Sequence, residues 1–131
     1  MKLLFVGETD LKNLWQKVSD FLEISSQDNN YWVDIRLRIL RSSIEKLDYE
    51  VLILVDVEDI DLMDLIVIVA SKRKPFVIVS ERSEAKLKED LLINDIDGGL
   101  EFFHYIERSS DLKENVVNIS KMIKEIFSWL S

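Results

Sequence analysis

Acidic side chains stand directly after two of the apolar runs in the sequence: Glu8 and Asp10 follow "LLFVG", and Asp56, Glu58 and Asp59 follow "VLILV". Carboxylates converging from two neighbouring segments suit a hard divalent cation, because Mg²⁺ is held by one or two carboxylates together with waters or phosphate oxygens. Glu8, Asp10, Asp56, Glu58 and Asp59 are the acids available to such an ion, and Mg²⁺ is the candidate cofactor. Two other apolar runs end in different chemistry: "FVIVS" delivers Ser80, Glu81 and Arg82, and "FFHYIE" delivers Arg108, Ser109 and Ser110. The candidate binding rim is therefore Glu8, Asp10, Asp56, Glu58, Ser80 and Arg108. A plainer reading assigns each acid to a helix start, where a carboxylate complements the helix dipole and the unpaired amides with no ligand involved.

Other chemistries find little in the chain. Zero cysteines exclude disulfides, thiolate metal sites and a cysteine nucleophile. His104 is the one histidine, and it alternates with Phe102 and Ile106 as a packed or hydrogen-bonded ring does; alone it cannot make a metal cluster. Gly7 is the only glycine near the first apolar run, so neither a dinucleotide fingerprint nor a P-loop is present, and Gly98 and Gly99 read as turn residues. No nucleophile with an adjacent base supports a Ser-His-Asp arrangement.

A formal net charge of -8 disfavours nucleic acid phosphates and anionic membranes, since both need surface cations. The basic run Lys72 to Lys74 is local and closes a helix, at the rim opposite the acids. "MKLLFVGETD" is too short in apolar residues for a signal peptide, and Leu65 to Ala70 is too short to span a bilayer. A cytoplasmic protein that avoids membranes is expected.

The elements that must position the rim follow from periodicity. Leu3 to Val6 reads as a strand, and Leu11, Leu14, Trp15, Val18, Phe21 and Leu22 fall on helical spacing, with Thr9 or Asp10 as N-cap. "YWVDIRL" alternates Tyr31, Val33, Ile35 and Leu37 against a wetter Trp32, Asp34 and Arg36, as an edge strand does. Leu40, Ile44 and Leu47 give a short helical stripe. Val51 to Val55 has no alternation, the pattern of a central parallel strand covered on both faces. Leu65 to Ala70 has strand composition, yet Ile60, Met63, Val67 and Ala70 have helical spacing. Helix is the expectation there, because joining two parallel strands needs a crossover of about a dozen residues.

Phe76 to Val79 is the fourth strand, a helix runs from Ser83 to about Ile93, and Leu100 to Ile106 is the fifth strand. Leu112 to Leu130 is a long final helix, with Asp111 and Glu114 spaced as a capping box. Phe127, Trp129 and Leu130 near its end read as core and capping contacts, with a partner surface at Trp129 as the alternative. Residues 1–131 thus form one α/β domain: a three-layer α/β/α sandwich with a five-stranded parallel sheet, Rossmann-like in type, in the flavodoxin-like order 2-1-3-4-5. In that order the ends of strands 1 and 3 diverge into a crevice, where the acids would meet.

"DYEVLILVDVEDIDLMDLI" resembles the third strand and following loop of response-regulator receiver domains. The resemblance implies that Asp56 matches the phosphorylated aspartate, Glu8 and Asp10 the acids after strand 1, and Ser80 the hydroxyl after strand 4. Where receivers carry a lysine after strand 5, the nearest cation here is Arg108. "VGETD" and "VDVED" are similar to the Toprim pattern of a glutamate after strand 1 and Asp-x-Asp after strand 3, which implies Glu8, Asp56 and Glu58 as Mg²⁺ ligands, with Glu58 in place of the second aspartate.

The leading expectation is a regulatory or ligand-binding domain, receiver-like or pseudo-receiver-like, that acts through a protein partner or a homodimer rather than by turnover. The alternatives are a Mg²⁺-dependent phosphoester or nucleotide enzyme and a dimeric nucleotide sensor, the last by analogy of fold alone.

Overall fold

The structure, a computed structural model, describes residues 2–7, 12–23, 31–34, 46, 48–91 and 103–130. Five strands form one sheet: β1 (Leu3–Gly7), β2 (Tyr31–Asp34), β3 (Val51–Val55), β4 (Phe76–Ser80) and β5 (Phe103–Glu107). Their order is β2-β1-β3-β4-β5 and every pairing is parallel. The described helices are α1 (Lys12–Phe21), α2 (Asp59–Ser71), α3 (Glu84–Asp90) and α4 (Leu112–Leu130).

Side chains leave the sheet alternately, and each set finds its own helices. Leu3, Phe5, Ile53, Val77 and Val79 meet Leu14 and Val18 of α1 and Ile119, Ile123 and Ile126 of α4. Leu4, Leu52, Leu54, Phe76 and Ile78 meet Leu62, Leu65 and Val69 of α2 and Leu87 of α3. The three-layer fold expected from the sequence is the one observed. Double coverage explains why β1 and β3 are apolar at nearly every position, since both faces exclude water.

The ambiguous run Leu65 to Ala70 lies within α2. Its strand composition is overridden because β3 and β4 are adjacent and parallel, so the chain must cross over between them. β2 is an edge strand, paired among the described residues only with β1, as its alternation indicates. Trp32 is not on a wet face, however: it is half-buried and stacks on Phe5 with ring centroids 6.3 Å apart. Gly7 makes room for it, because a Cβ there would lie 3.1 Å from Trp32 Cη2 and 3.1 Å from the Val55 carbonyl oxygen.

Helix starts follow local chemistry. Ser83 caps α3 by accepting the Lys86 amide. That helix closes at Leu91, and the expected extension to Ile93 lies outside the described residues. Asp111 caps α4 through the Lys113 amide at 3.0 Å, but Glu114 does not return to the Asp111 amide. Glu114 instead accepts the Ser109 hydroxyl at 2.9 Å, while Ser109 Oγ takes the Asp111 amide, so the expected capping box is opened by one inserted hydroxyl. The helical stripe at Leu40, Ile44 and Leu47 and the N-cap at Thr9 or Asp10 lie outside the described residues, as do Ile35 to Leu37 of the second strand and Leu100 to Phe102 of the fifth.

Candidate functional site

β3 ends on a residue that turns the chain sharply. Asp56 has φ +49° and is, among the described residues, one of three non-glycine residues in the left-handed region. Aspartate tolerates that conformation better than most L-residues, although it still costs about 1 kcal/mol. Its amide donates to the Val79 carbonyl at 3.0 Å, so the residue is anchored to β4 before the chain departs toward α2. The Asp56 side chain is three-quarters buried, and the Arg108 guanidinium pairs with its carboxylate.

Arg108 reaches Asp56 from the far side of β4. Its amide donates to the Ser80 carbonyl at 2.7 Å, extending the β4–β5 ladder by one rung and fixing where the side chain departs. The same guanidinium lies 3.9 Å from Glu81, a more exposed acid. The next residue is held more tightly still. Asn115, buried at 3% exposure on α4, accepts the Ser109 amide and donates to the Ser109 carbonyl, both at 2.8 Å. The side chain of α4 thus substitutes for a sheet partner just past the end of β5, and so positions the segment that carries Arg108.

Ser80 ends β4, between these strands, and both its hydroxyl and its carbonyl accept hydrogen bonds. Its hydroxyl accepts the Arg82 amide at 3.2 Å, and its carbonyl also accepts the Tyr105 hydroxyl at 3.4 Å. Burial raises the Tyr105 phenol above its ordinary value, assisted by Glu107, so it stays a donor. Arg82 in turn grips Asp59 with two nitrogens, at 2.7 and 3.2 Å, and Asp90 at 2.9 Å. Hydrogen bonding to Asp59 raises the Arg82 guanidinium further, and Arg82 lowers the Asp90 carboxyl. This fork fastens the first turn of α2 to the last residue of α3 across the loop that follows β4.

Of the six candidate rim residues, Asp56, Ser80 and Arg108 come together at the carboxyl ends of β3, β4 and β5. Glu58 does not join them. It is exposed at the start of α2, where its main-chain carbonyl accepts the Leu62 amide at 2.8 Å. Glu8 and Asp10 lie outside the described residues. Among the described residues, no three histidine or carboxylate groups gather as a metal-binding set. Lys74 donates to the Tyr49 carbonyl, ahead of β3, which puts that cation at the opposite rim as expected.

Tyr105 and Asn115 escaped the residue-by-residue reading, which placed Arg82 at a strand end without giving it a role. The legible signal near Arg82 was the helical i,i+4 pair Lys86–Asp90, which closes at 3.1 Å, although Arg82 itself precedes the helix cap Ser83. Tyr105 and Asn115 had none, because a tyrosine in a strand and an asparagine in a helix are ordinary until their buried partners are known. His104 is half-buried, with its ring 5.4 Å from that of Trp129, and burial lowers its pKa.

The arrangement joins an acid and a planar cation at the carboxyl ends of the strands, while the Ser80 hydroxyl beside them is engaged by Arg82. An anionic group delivered to Asp56 would meet the Arg108 fork, whose geometry matches phosphate and carboxylate oxygens. No protein-family profile, curated protein or solved structure matches the chain. No described helix is long and apolar enough to cross a membrane.

Proposed function

We propose that this protein is a receiver-like regulatory domain, in which the state of Asp56 is read through Arg108 and passed to a partner. The observation that supports this reading most is the Asp56–Arg108 pair, made across β4 beside Ser80. Asp56 is an acid held in place by its main chain, partly withdrawn from water and neutralised by a side chain that can change partners. Adding a phosphoryl group to Asp56 replaces one carboxylate oxygen's charge with a larger anion. Arg108 must then move to the new oxygens or be displaced by them. Either response shifts the Ser80 to Ser109 region, which touches α3 through Arg82 and α4 through Asn115.

Acetyl phosphate tests the reading directly. A carboxylate oxygen of Asp56 attacks phosphorus, the bond from phosphorus to the acetyl oxygen breaks, and acetate leaves with that electron pair. In buffer containing Mg²⁺, intact mass measurement should show one added phosphoryl group, localised to the peptide with Asp56 and absent from Asp56→Asn. A chain that stays unmodified, or that is modified equally in Asp56→Asn, overturns the reading.

A further inference from the structure

Helix α2 is apolar on both sides. Leu62, Leu65 and Val69 are buried against the sheet, yet Ile60 is 75% exposed, Met63 48% and Val67 65%. At 100° per residue these three lie on the face pointing away from the core, so they form a continuous outward stripe. A helix that is apolar all round is ordinarily covered all round. The charges along α2 are sorted by end as well. Exposed Asp61 and Asp64 lie toward its start, and exposed Arg73 follows its last turn in a left-handed conformation, φ +54°.

We propose that the outer face of α2 is the interface of a symmetric dimer, with two copies of the helix packed antiparallel. The occupant is identified by charge complementarity, because a stripe that is acidic at one end and basic at the other is complementary to itself reversed. A twofold axis beside Val67 sets Val67 against its own copy and turns Arg73, just past the end of each helix, toward the acidic start of the other, where Asp64 lies about 60° around the helix from Val67 and flanks the stripe. Such an isologous contact closes after two copies. It also makes the whole-chain charge of -8 compatible with self-association, because opposite signs meet locally at the seam. The proposal does not depend on phosphorylation at Asp56.

The chain has no cysteine, which makes cross-linking clean. Helices in contact lie about 8–10 Å apart, so residues facing each other at the twofold axis are within disulfide reach. Mild oxidation of Val67→Cys should give a covalent dimer, whereas Gln16→Cys, on exposed α1, should stay monomeric. Sedimentation of the unmodified chain at high micromolar concentration should show a dimer. Val67→Asp, a change at an exposed position that leaves the circular dichroism spectrum unchanged, should abolish it. Arg73→Glu should weaken the dimer, and adding Asp64→Arg should restore it. A monomeric unmodified chain overturns the proposal, as does a dimer that survives Val67→Asp or a Gln16→Cys cross-link as efficient as that of Val67→Cys.

Discussion

The Asp56 carboxylate and the Arg108 guanidinium meet across the carboxyl ends of β3 and β5, with β4 running between them. Both side chains are 26% exposed, so the pair is shielded more than a surface ion pair and less than a core one. It couples the turn that starts α2 to the segment that leads into α4. Exposed pairs contribute roughly 0.2–1 kcal/mol, and this one belongs at the upper end because water is partly excluded. A double-mutant cycle of Asp56→Asn and Arg108→Gln should therefore give a coupling of about 1 kcal/mol at low salt, decreasing as salt rises. Additive effects would show that the contact carries no energy.

The left-handed conformation at Asp56 makes a separate prediction about the main chain. In an Arg108→Gln background, where the ion pair is already gone, Asp56→Ala should be less stable than Asp56→Asn by about 1 kcal/mol, because alanine has no affinity for that region. Asp56→Gly should recover the difference. Urea unfolding of the three variants decides it, and equal stabilities would mean that the turn relaxes.

Asn115 should matter to the rim although it touches no rim side chain. Asn115→Leu leaves the Ser109 amide and carbonyl without their partners, and a buried unpaired polar group costs about 1–3 kcal/mol. Beyond that loss, the side chain of Arg108 should lose its fixed departure point. Asp56–Arg108 coupling measured in an Asn115→Leu background should fall, which a purely structural loss elsewhere in α4 would not produce.

His104 gives the stability a pH dependence of definite sign. Burial holds its folded pKa below the ordinary 6.5, with Glu125 opposing the shift. As pH falls through 6.5 the unfolded chain takes up a proton that the folded chain resists, so stability present above that pH is lost on acidification. Melting temperature should decline between about pH 7 and pH 5 more steeply in the unmodified chain than in His104→Gln. Parallel curves would mean that other groups control the acid side.

The fold was legible because its information is carried by side-chain type alone. Val51 to Val55 and Phe76 to Val79 lack alternation, as doubly covered parallel strands do. Even Leu65 to Ala70, whose composition misleads, was resolved by the crossover that two parallel neighbours demand. The site was legible only in part. Knowing the strand ends places Asp56, Ser80 and Arg108 at one rim, but the reach of Arg108 over β4 depends on a register that spacing does not contain. The left-handed turn at Asp56 was likewise invisible, since aspartate is compatible with many conformations. Trp32 misled the reading because alternation assigns faces without saying which neighbour, here Phe5, makes a face dry. Glu8 and Asp10, expected to complete the acid set, lie outside the described residues.

One titration bears on the central claim more directly than any stability measurement. Beryllofluoride with Mg²⁺ mimics an aspartyl phosphate, and Trp15 and Trp32, both half-buried around Phe5, can report a change in the folded domain. The account predicts a saturable change in tryptophan fluorescence that disappears in Asp56→Asn and is weakened in Arg108→Gln. A flat titration of the unmodified chain, or a response retained in Asp56→Asn, would contradict it.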